Sequence, residues 1–346
     1  MRRKWRIMVS ISVAAMLLLS VIIVGCAPAP PAESPTLHLK ASQAMMPKDA
    51  LTHLCVIEMC DRITERTDGK ITWDIFGPEI GDWTELEIMV KKGTIDLQFN
   101  AFATGFDPRW NILYLPFLAS TFEEAREVCG PGGPFDEMGK IFAPDGDMYY
   151  LGTFLNNVGM LGLNTDPIMT PEQAKGVKIR VWPAEIPKIY IEKMGFTAVT
   201  IPWAEAPTAI ATGVADGWIG SGSVYHWMLF RDVARTQMIT FDFLEIWAIT
   251  MNLDRWNALP KEYQEIIQEE AVRIIAKRLD QVEEEELEYR QKLIDYGWTV
   301  VNMAEEYPNE LKVWQELARE AWDEIEPLVG KIWMDKLKVA MGIPVD

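Results

Sequence analysis

The sequence has 346 residues, with 33 Lys and Arg against 51 Asp and Glu, for a formal net charge of -18. Such an acidic chain repels nucleic acid and disfavours an electrostatic contact between a polybasic surface and a membrane. The length is sufficient for two lobes that each bury a sizeable core.

The N-terminus has the layout of an export signal. A basic cluster at residues 2–6 precedes an apolar run over about 7–24, and the run ends in Ile-Val-Gly-Cys26, which resembles a bacterial lipobox. We therefore expect residues 1–25 to be a lipoprotein signal peptide and Cys26 to be lipid-modified at the new N-terminus. An uncleaved membrane anchor is the alternative. Residues 26–35 are rich in Pro and Ala and are expected to form an extended tether.

The first part of the mature chain alternates strands and helices. Alternation of side chains predicts strands over 36–41, 70–76 and 94–99. Helices are expected between them, over about 49–67 and over 82–92, where Asp82 is the N-cap and Gly93 the terminator. This order predicts an α/β sheet with helices on its faces.

The remainder continues this pattern and then becomes helical. Strands are expected over 149–154, 158–164, 177–181, 197–201 and 243–253, with a short strand and turn at 216–218. Helices are expected over 184–194 and 203–212. After Pro260 the sequence predicts one long helix over 261–296, a short strand over 298–302 and further helices over 308–341.

Candidate metal and disulfide sites are weak. The acidic run at 283–288 is interpreted as a solvated helix face and not as a metal site. Three histidines, His38, His53 and His226, are scattered without ligand spacing. Cys55 and Cys60 point apart on a predicted helix, so buried free thiols are favoured, although a bridge from Cys129 to one of them remains open.

Catalytic motifs are absent from the sequence. It contains no phosphate-binding glycine motif, no G-x-S-x-G and no H-E-x-x-H, and its glycine-rich segment 130–134 holds two prolines that remove amide donors. No nucleophile and base pair is recognisable. These absences favour a binding protein over an enzyme, with no cofactor.

Several segments, in the same order, resemble the DctP-type solute receptors of TRAP transporters. They are TDGKI at 67–71, KGTID at 92–96, LPFL at 115–118, PIMTPEQAKGVKIRV at 167–181, IPWAE at 201–205 and TGVADG at 212–217. The resemblance implies a two-lobed α/β fold of the periplasmic-binding-protein type, with crossing strands and a long helix that spans both lobes. It also implies a small organic acid as ligand and small and large membrane subunits as partners.

The expected lobes are each discontinuous in sequence. Lobe I is expected to comprise residues 36–157 plus about 243–280. Lobe II is expected to comprise residues 158–242 plus about 281–346, including the C-terminal helices. A protein of this kind faces the periplasm or the cell exterior, held to a membrane through Cys26.

Arg180 is the strongest candidate for ligand binding. The resemblance implies that this arginine pairs with the ligand carboxylate, and its planar fork suits two parallel hydrogen bonds. An arginine inside an apolar strand also needs a partner, which a ligand supplies. An internal salt bridge to a core carboxylate is the alternative.

Two departures from the family pattern bear on the ligand. Leu161 occupies the place of a second arginine, and Gly220 occupies the place of an asparagine. The loss of both polar groups argues against a small dicarboxylate or sialic acid and favours a monocarboxylate with a larger apolar body. Gly220 is expected to make room for that body, and Trp218 to form a flat wall.

The remaining candidates for the binding site are weaker. Trp182 lies close after Arg180, and its side chain is expected to face away from that arginine. Residues that follow or lie on predicted strands complete the set: Gln43, Asn100, Phe102, Ser221, Tyr225 and Trp247. A receptor that works with an ABC transporter and a ligand-binding sensor lipoprotein are the alternative functions.

Overall fold

The computed structural model describes residues 34–345. The predicted signal peptide, Cys26 and most of the predicted tether lie outside the described residues. Within them, no helix combines the length and the apolar composition that crossing a membrane requires.

One mixed sheet organises the fold. Its strands run in the order β2-β1-β3-β8-β4-β7-β5-β6, and β9 pairs with β8. The strands are β1 Leu37–Gln43, β2 Ile71–Phe76, β3 Leu97–Asn100, β4 Met148–Leu163, β5 Lys178–Val181, β6 Thr197–Thr200, β7 Gly217–Ser221, β8 Thr236–Asn252 and β9 Thr299–Asn302. The predicted α/β class is confirmed.

Two long antiparallel strands, β4 and β8, join the halves of the sheet. The sequence predicts two separate strands where the structure has the single strand β4. It also predicts only the second half of β8 as a strand. Register shifts interrupt β4 after Tyr150, Leu155 and Gly159, and these irregularities break the alternation that a sequence reading relies on. The first half of β8 contains buried polar residues such as Gln237 and Asp242, which hide its strand character.

The helices predicted from the sequence occur close to their expected places, whereas the helices over 122–129, 134–145, 171–174, 223–225 and 253–258 were not predicted. They span Leu51–Arg66, Trp83–Lys91, Phe122–Cys129, Pro134–Asp145, Pro171–Ala174, Glu185–Lys193, Ala206–Ala211, Ser223–Tyr225, Leu253–Ala258, Lys261–Tyr296, Met303–Glu306, Pro308–Arg319, Ala321–Val329 and Lys331–Ala340. Asp82 caps its helix as expected, because its carboxylate accepts the backbone N–H groups of Thr84 and Glu85. The buried thiols Cys55, Cys60 and Cys129 are free, which confirms the favoured interpretation.

The long helix Lys261–Tyr296 contacts both halves of the sheet. Near its start, Glu270 is buried and pairs with Arg62 on the helix that follows β1. Near its end, Glu286 accepts the backbone N–H of Ser223, just after β7, at 2.8 Å and also binds the hydroxyl of that residue. The helix therefore ties the two halves together through buried carboxylates.

The acidic run at 283–288 is only partly a solvated face. Glu286 is buried, and the side chain of Glu285 is mostly covered and pairs with the buried Arg278 at 2.7 Å. The expectation of solvation was wrong for these two residues because their side chains pack inward against β4 and the Ser223 turn. In residues 34–345, no group of three or more His, Cys, Asp or Glu side chains is arranged to hold a metal ion.

Replacing Glu286 by Gln should change how stability depends on pH. Burial raises the pKa of this carboxyl to about 7, from an ordinary value of 4.5. Between these values the folded chain keeps a proton that the unfolded chain has released, so the contribution of Glu286 to stability falls as pH rises. Relative to the wild type, Glu286→Gln should gain up to roughly 3 kcal/mol between pH 5 and pH 8. Urea unfolding at both values measures the difference.

The matched control is Glu283→Gln, which changes a more exposed carboxylate of the same helix that pairs with Arg126. Its stability should follow the wild-type pH profile. If Glu286→Gln also follows that profile, the assignment of a buried, largely protonated carboxyl is wrong.

Candidate ligand-binding site

A cavity of about 520 Å³ opens between the two halves of the sheet. Its walls come from the loop after β1, the ends of β5 and β7, and the crossing strand β8. The aromatic part of the lining consists of Trp83, Tyr114, Trp182, Trp203, Tyr225, Phe243 and Trp247. Such a predominantly apolar concavity with a few polar groups is typical of a small-molecule site.

Arg180 lies on β5 and lines this cavity. Its Nε donates to the carbonyl oxygen of Ile201 at 2.8 Å, and the guanidinium lies 5.2 Å from the ring centre of Trp203. The Nη2 group is buried without a hydrogen-bond partner, and no ion pair involves Arg180 among residues 34–345. Burial lowers its pKa to about 9. The internal salt bridge is therefore not formed, and a charged donor remains for a ligand.

Trp182 also lines the cavity, contrary to expectation. Residues two apart on a strand share a face, so Trp182 lies on the same side as Arg180 and the expectation that it faces away was wrong. Its indole packs 4.8 Å from the ring of Phe243, and its Nε1 is buried without a partner.

Gly220 lines the cavity but does not enlarge it. Its φ is +93°, and a Cβ built on this residue would lie 2.8 Å from a ring carbon of Trp182. Glycine is needed for the left-handed backbone and for the close approach of the indole. The room expected at Gly220 is filled by Trp182, which sets the size of the cavity at this point.

Trp218 does not form a wall of the cavity, so that expectation was wrong. Its side chain is fully buried and stacks on Phe230, with ring centres 3.8 Å apart. Its Nε1 donates to Oγ of Ser221 at 3.0 Å. Trp218 is thus a core residue that positions Ser221, which does line the cavity.

Two further candidates lie behind the wall and hold it. Asn100 donates from Nδ2 to the carbonyl oxygen of Trp83 at 2.8 Å. Gln43 makes two hydrogen bonds to the backbone of Met46, from Nε2 at 2.7 Å and to Oε1 at 3.0 Å. Neither Asn100 nor Gln43 belongs to the lining, although Trp83 and Met46 do.

Phe102 has a similar supporting position. Its ring stacks on Trp110 at 3.6 Å, and its carbonyl oxygen accepts the hydroxyl of Tyr114 at 2.7 Å. Tyr114 is the residue that reaches the cavity. Of the other candidates, Tyr225 and Trp247 lie in the lining, and the indole of Trp247 lowers the pKa of the Glu245 carboxyl.

A carboxylate, Glu245 on β8, also lines the cavity. Its Oε2 accepts hydrogen bonds from Nδ2 of Asn156 and Nδ2 of Asn157, both at 2.8 Å. Burial raises the pKa of this carboxyl to about 7, while the two amides act in the opposite direction. The cavity therefore holds one basic and one acidic side chain on different strands.

The model of the bacterial extracellular solute-binding protein family 7, DctP, matches residues 42–327. The chain belongs to this family. A solute-binding protein of Chromohalobacter salexigens is 24% identical over 242 residues, which is 68% of this chain and 70% of the relative. This level of similarity agrees with the motif resemblance found in the sequence.

Solved structures share the fold of this DctP-type receptor. A TRAP periplasmic solute-binding protein of Ochrobactrum anthropi superposes with a TM-score of 0.81 at 20% identity, covering 89% of this chain and 95% of that protein. A TRAP periplasmic solute-binding protein of Sulfitobacter sp. superposes with a TM-score of 0.79 at 20% identity, covering 88% of this chain and 100% of that protein. The two-lobed fold of the TRAP solute-binding proteins is thereby confirmed.

Sequence reasoning missed part of the lining of this DctP-type receptor. Glu245 is a charged residue inside a largely apolar predicted strand, which is the same signal that marks Arg180. Trp203 lies in one of the family-like segments, IPWAE, so the sequence also contains a signal for this residue. Trp83, Tyr114 and Phe243 carry no local signal, since only the fold brings them to the cavity.

Proposed function

We propose that this chain is the extracytoplasmic receptor of a TRAP transporter and binds a monocarboxylate with an apolar or aromatic body. The observation that carries the proposal is the guanidinium of Arg180, buried without an ionic partner at an aromatic cavity. A buried cation is costly unless it is paired, and a ligand carboxylate provides two charge-assisted hydrogen bonds.

The apolar lining supports the choice of ligand body. Indole and phenyl rings surround the cavity, and burial of an apolar ligand surface against them is favourable. A similar receptor, that of Sulfitobacter sp., holds β-D-galacturonate, which is also an acid. The rings on this chain favour a less polar body than a sugar acid has.

The working mechanism is closure of two lobes about the ligand. The proposed lobes keep the boundaries expected from the sequence, with β4 and β8 crossing between them. Ligand would bind Arg180 in the open cleft, the aromatic walls would exclude water, and the lobes would then close. The closed form would dock on the small and large membrane subunits, which use an ion gradient.

The proposal includes membrane attachment through Cys26. Its support is the order of basic, apolar and lipobox-like segments in the first 26 residues. Attachment would keep the receptor near its permease.

Native mass spectrometry of the chain from Ala27 onward, purified without denaturation, tests the ligand class. We expect a retained small molecule whose mass and fragmentation identify one carboxylate on an apolar or aromatic frame. Retention of a neutral sugar or of an amine without an acid group would contradict the proposal, because Arg180 would then have no anionic partner.

A further inference from the structure

Glu245 has the features of a second ligand anchor. It is a carboxylate in a strand, β8, that is otherwise mostly apolar around it, and it reaches the same cavity as Arg180. A carboxylate in a largely apolar site is expected to have a specific hydrogen-bonding or ionic role.

A β-bulge builds the support for this carboxylate. Leu155 pairs with Ile246 and Asn157 pairs with Glu245, so Asn156 is an extra residue in β4. Adjacent residues of a regular strand face opposite sides, whereas a bulge re-aims one of them. Asn156 and Asn157 can therefore both donate to Oε2 of Glu245.

The other oxygen of Glu245, Oε1, has no hydrogen bond among the described residues. The charged and titratable side chains around Glu245 make their hydrogen bonds to other groups. The Tyr114 hydroxyl donates to a backbone carbonyl and the Tyr225 hydroxyl contacts Sδ of Met46. The charge of Arg278 lowers the pKa of the Glu245 carboxyl, but its guanidinium donates to Glu285 and to the carbonyl oxygen of Asn156. The indole N–H of Trp247 lies close enough to lower the pKa of the Glu245 carboxyl, but it makes no hydrogen bond of normal length. Oε1 can therefore accept a hydrogen bond from a group inside the cavity, beside that indole.

Arg180 and Glu245 do not neutralise each other. No ion pair at 4.0 Å or less joins them. Arg180 is on β5 and Glu245 on β8, with β7 and β4 between these strands. The two side chains therefore reach the same cavity from separate strands.

We propose that the ligand carries a cationic amine at the end opposite its carboxylate, and that Glu245 binds this amine. The inference rests on the proposed function, since it takes Arg180 as the carboxylate anchor. The ligand is then a zwitterion with an apolar or aromatic middle. An Oε1 without a hydrogen bond of normal length, the absence of an ionic partner and a position on a different strand from Arg180 together point to this class.

The titration of Glu245 adds a readout. The carboxyl has a pKa raised to about 7, so in the free protein it changes from neutral to anionic across neutral pH. Affinity for an amine-bearing ligand should therefore rise between pH 6 and pH 8, while affinity for a plain carboxylate should not rise. Burial raises the pKa of the neighbouring Tyr114 and Tyr225 hydroxyls, so both remain neutral over this range.

Titration calorimetry with matched probes tests the inference. One pair is 4-(aminomethyl)benzoate and 4-ethylbenzoate, and a linear pair is 6-aminohexanoate and heptanoate. All titrations contain EDTA, so that the only added cation is the amine of the probe. The wild type should prefer an amine-bearing probe over its plain partner by about tenfold, and Glu245→Gln should remove that preference.

The control variant is Glu87→Gln. Glu87 is also a buried carboxylate whose pKa is raised by burial, but it accepts the backbone N–H of Ala103 and lies outside the cavity lining. This variant should keep the wild-type preference. Melting curves of both variants establish that they are folded.

The outcomes separate the inference from the proposed function. Equal or stronger binding of the plain carboxylates, a preference that survives Glu245→Gln, or no binding of any probe overturns the inference. Binding of a plain carboxylate that needs added Ca²⁺ and Glu245 also overturns it, because the acidic group would then serve a metal. If Arg180→Gln leaves the binding of every probe unchanged, the proposed function itself fails.

Discussion

Replacing Arg180 by Ala should lower ligand affinity about 100-fold, because truncating one partner of a buried charge pair costs 2–5 kcal/mol or more. The fold should keep its stability. In the free protein the guanidinium is buried without an ion pair, and its removal loses one hydrogen bond to Ile201 and the contact with Trp203. Calorimetry with the ligand released from the wild type, together with melting curves, measures both effects.

Two variants control this result. Arg180→Lys retains a positive charge but lacks the planar fork, so its affinity should lie between those of the wild type and the Ala variant. Arg319 also has a pKa lowered by burial and donates to a backbone carbonyl, that of Phe117, but it lies outside the lining. Arg319→Ala should bind ligand normally. Wild-type affinity in Arg180→Ala would show that the carboxylate anchor lies elsewhere.

Arg180 was predictable from the sequence because two independent signals met at one residue. A charged side chain inside the apolar stretch VKIRV is costly without a partner, and the stretch resembles a family motif. The same physical signal exists at Glu245, where no family motif drew attention to it. The sequence therefore marks both charged residues of the cavity, Arg180 by two signals and Glu245 by one.

Trp182 and Gly220 show where sequence reasoning fails. They belong to different strands, and their contact depends on β5 and β7 lying side by side with a left-handed backbone at Gly220. Sequence spacing carries no information on this contact. From the sequence alone, Gly220 is therefore interpreted as making room in the site, whereas in the structure the indole of Trp182 fills that space.

The sheet itself was predictable in class but not in the length of its crossing strands. Short parallel strands such as β2 and β5 have simple patterns and were placed within a residue or two. In contrast, β4 contains three register shifts, each of which resets the alternation of faces. The shift beside Asn157 also positions the amides that hold Glu245, so the irregularity serves the site.

Replacing Trp218 by Ala should destabilise the fold by about 3–5 kcal/mol, as expected for truncation of a large aromatic core side chain. Trp218 is fully buried, stacks on Phe230 and packs near Trp298 at a ring distance of 6.5 Å. Because it does not line the cavity, ligand preference should change little. Urea unfolding and a ligand panel measure the two effects, and Trp218→Phe provides a milder variant if the Ala variant does not fold.

Trp182→Ala is the matched comparison, since it removes an indole from the cavity wall instead of from the core. It should weaken binding of ligands with aromatic bodies while costing less stability than Trp218→Ala, because Trp182 is only partly buried. If the Trp218 variants instead remain stable but change the ligand preference, Trp218 contacts the ligand and the assignment to the core is wrong. The pair of variants thus separates a residue that shapes the cavity from one that holds up the strand beneath it.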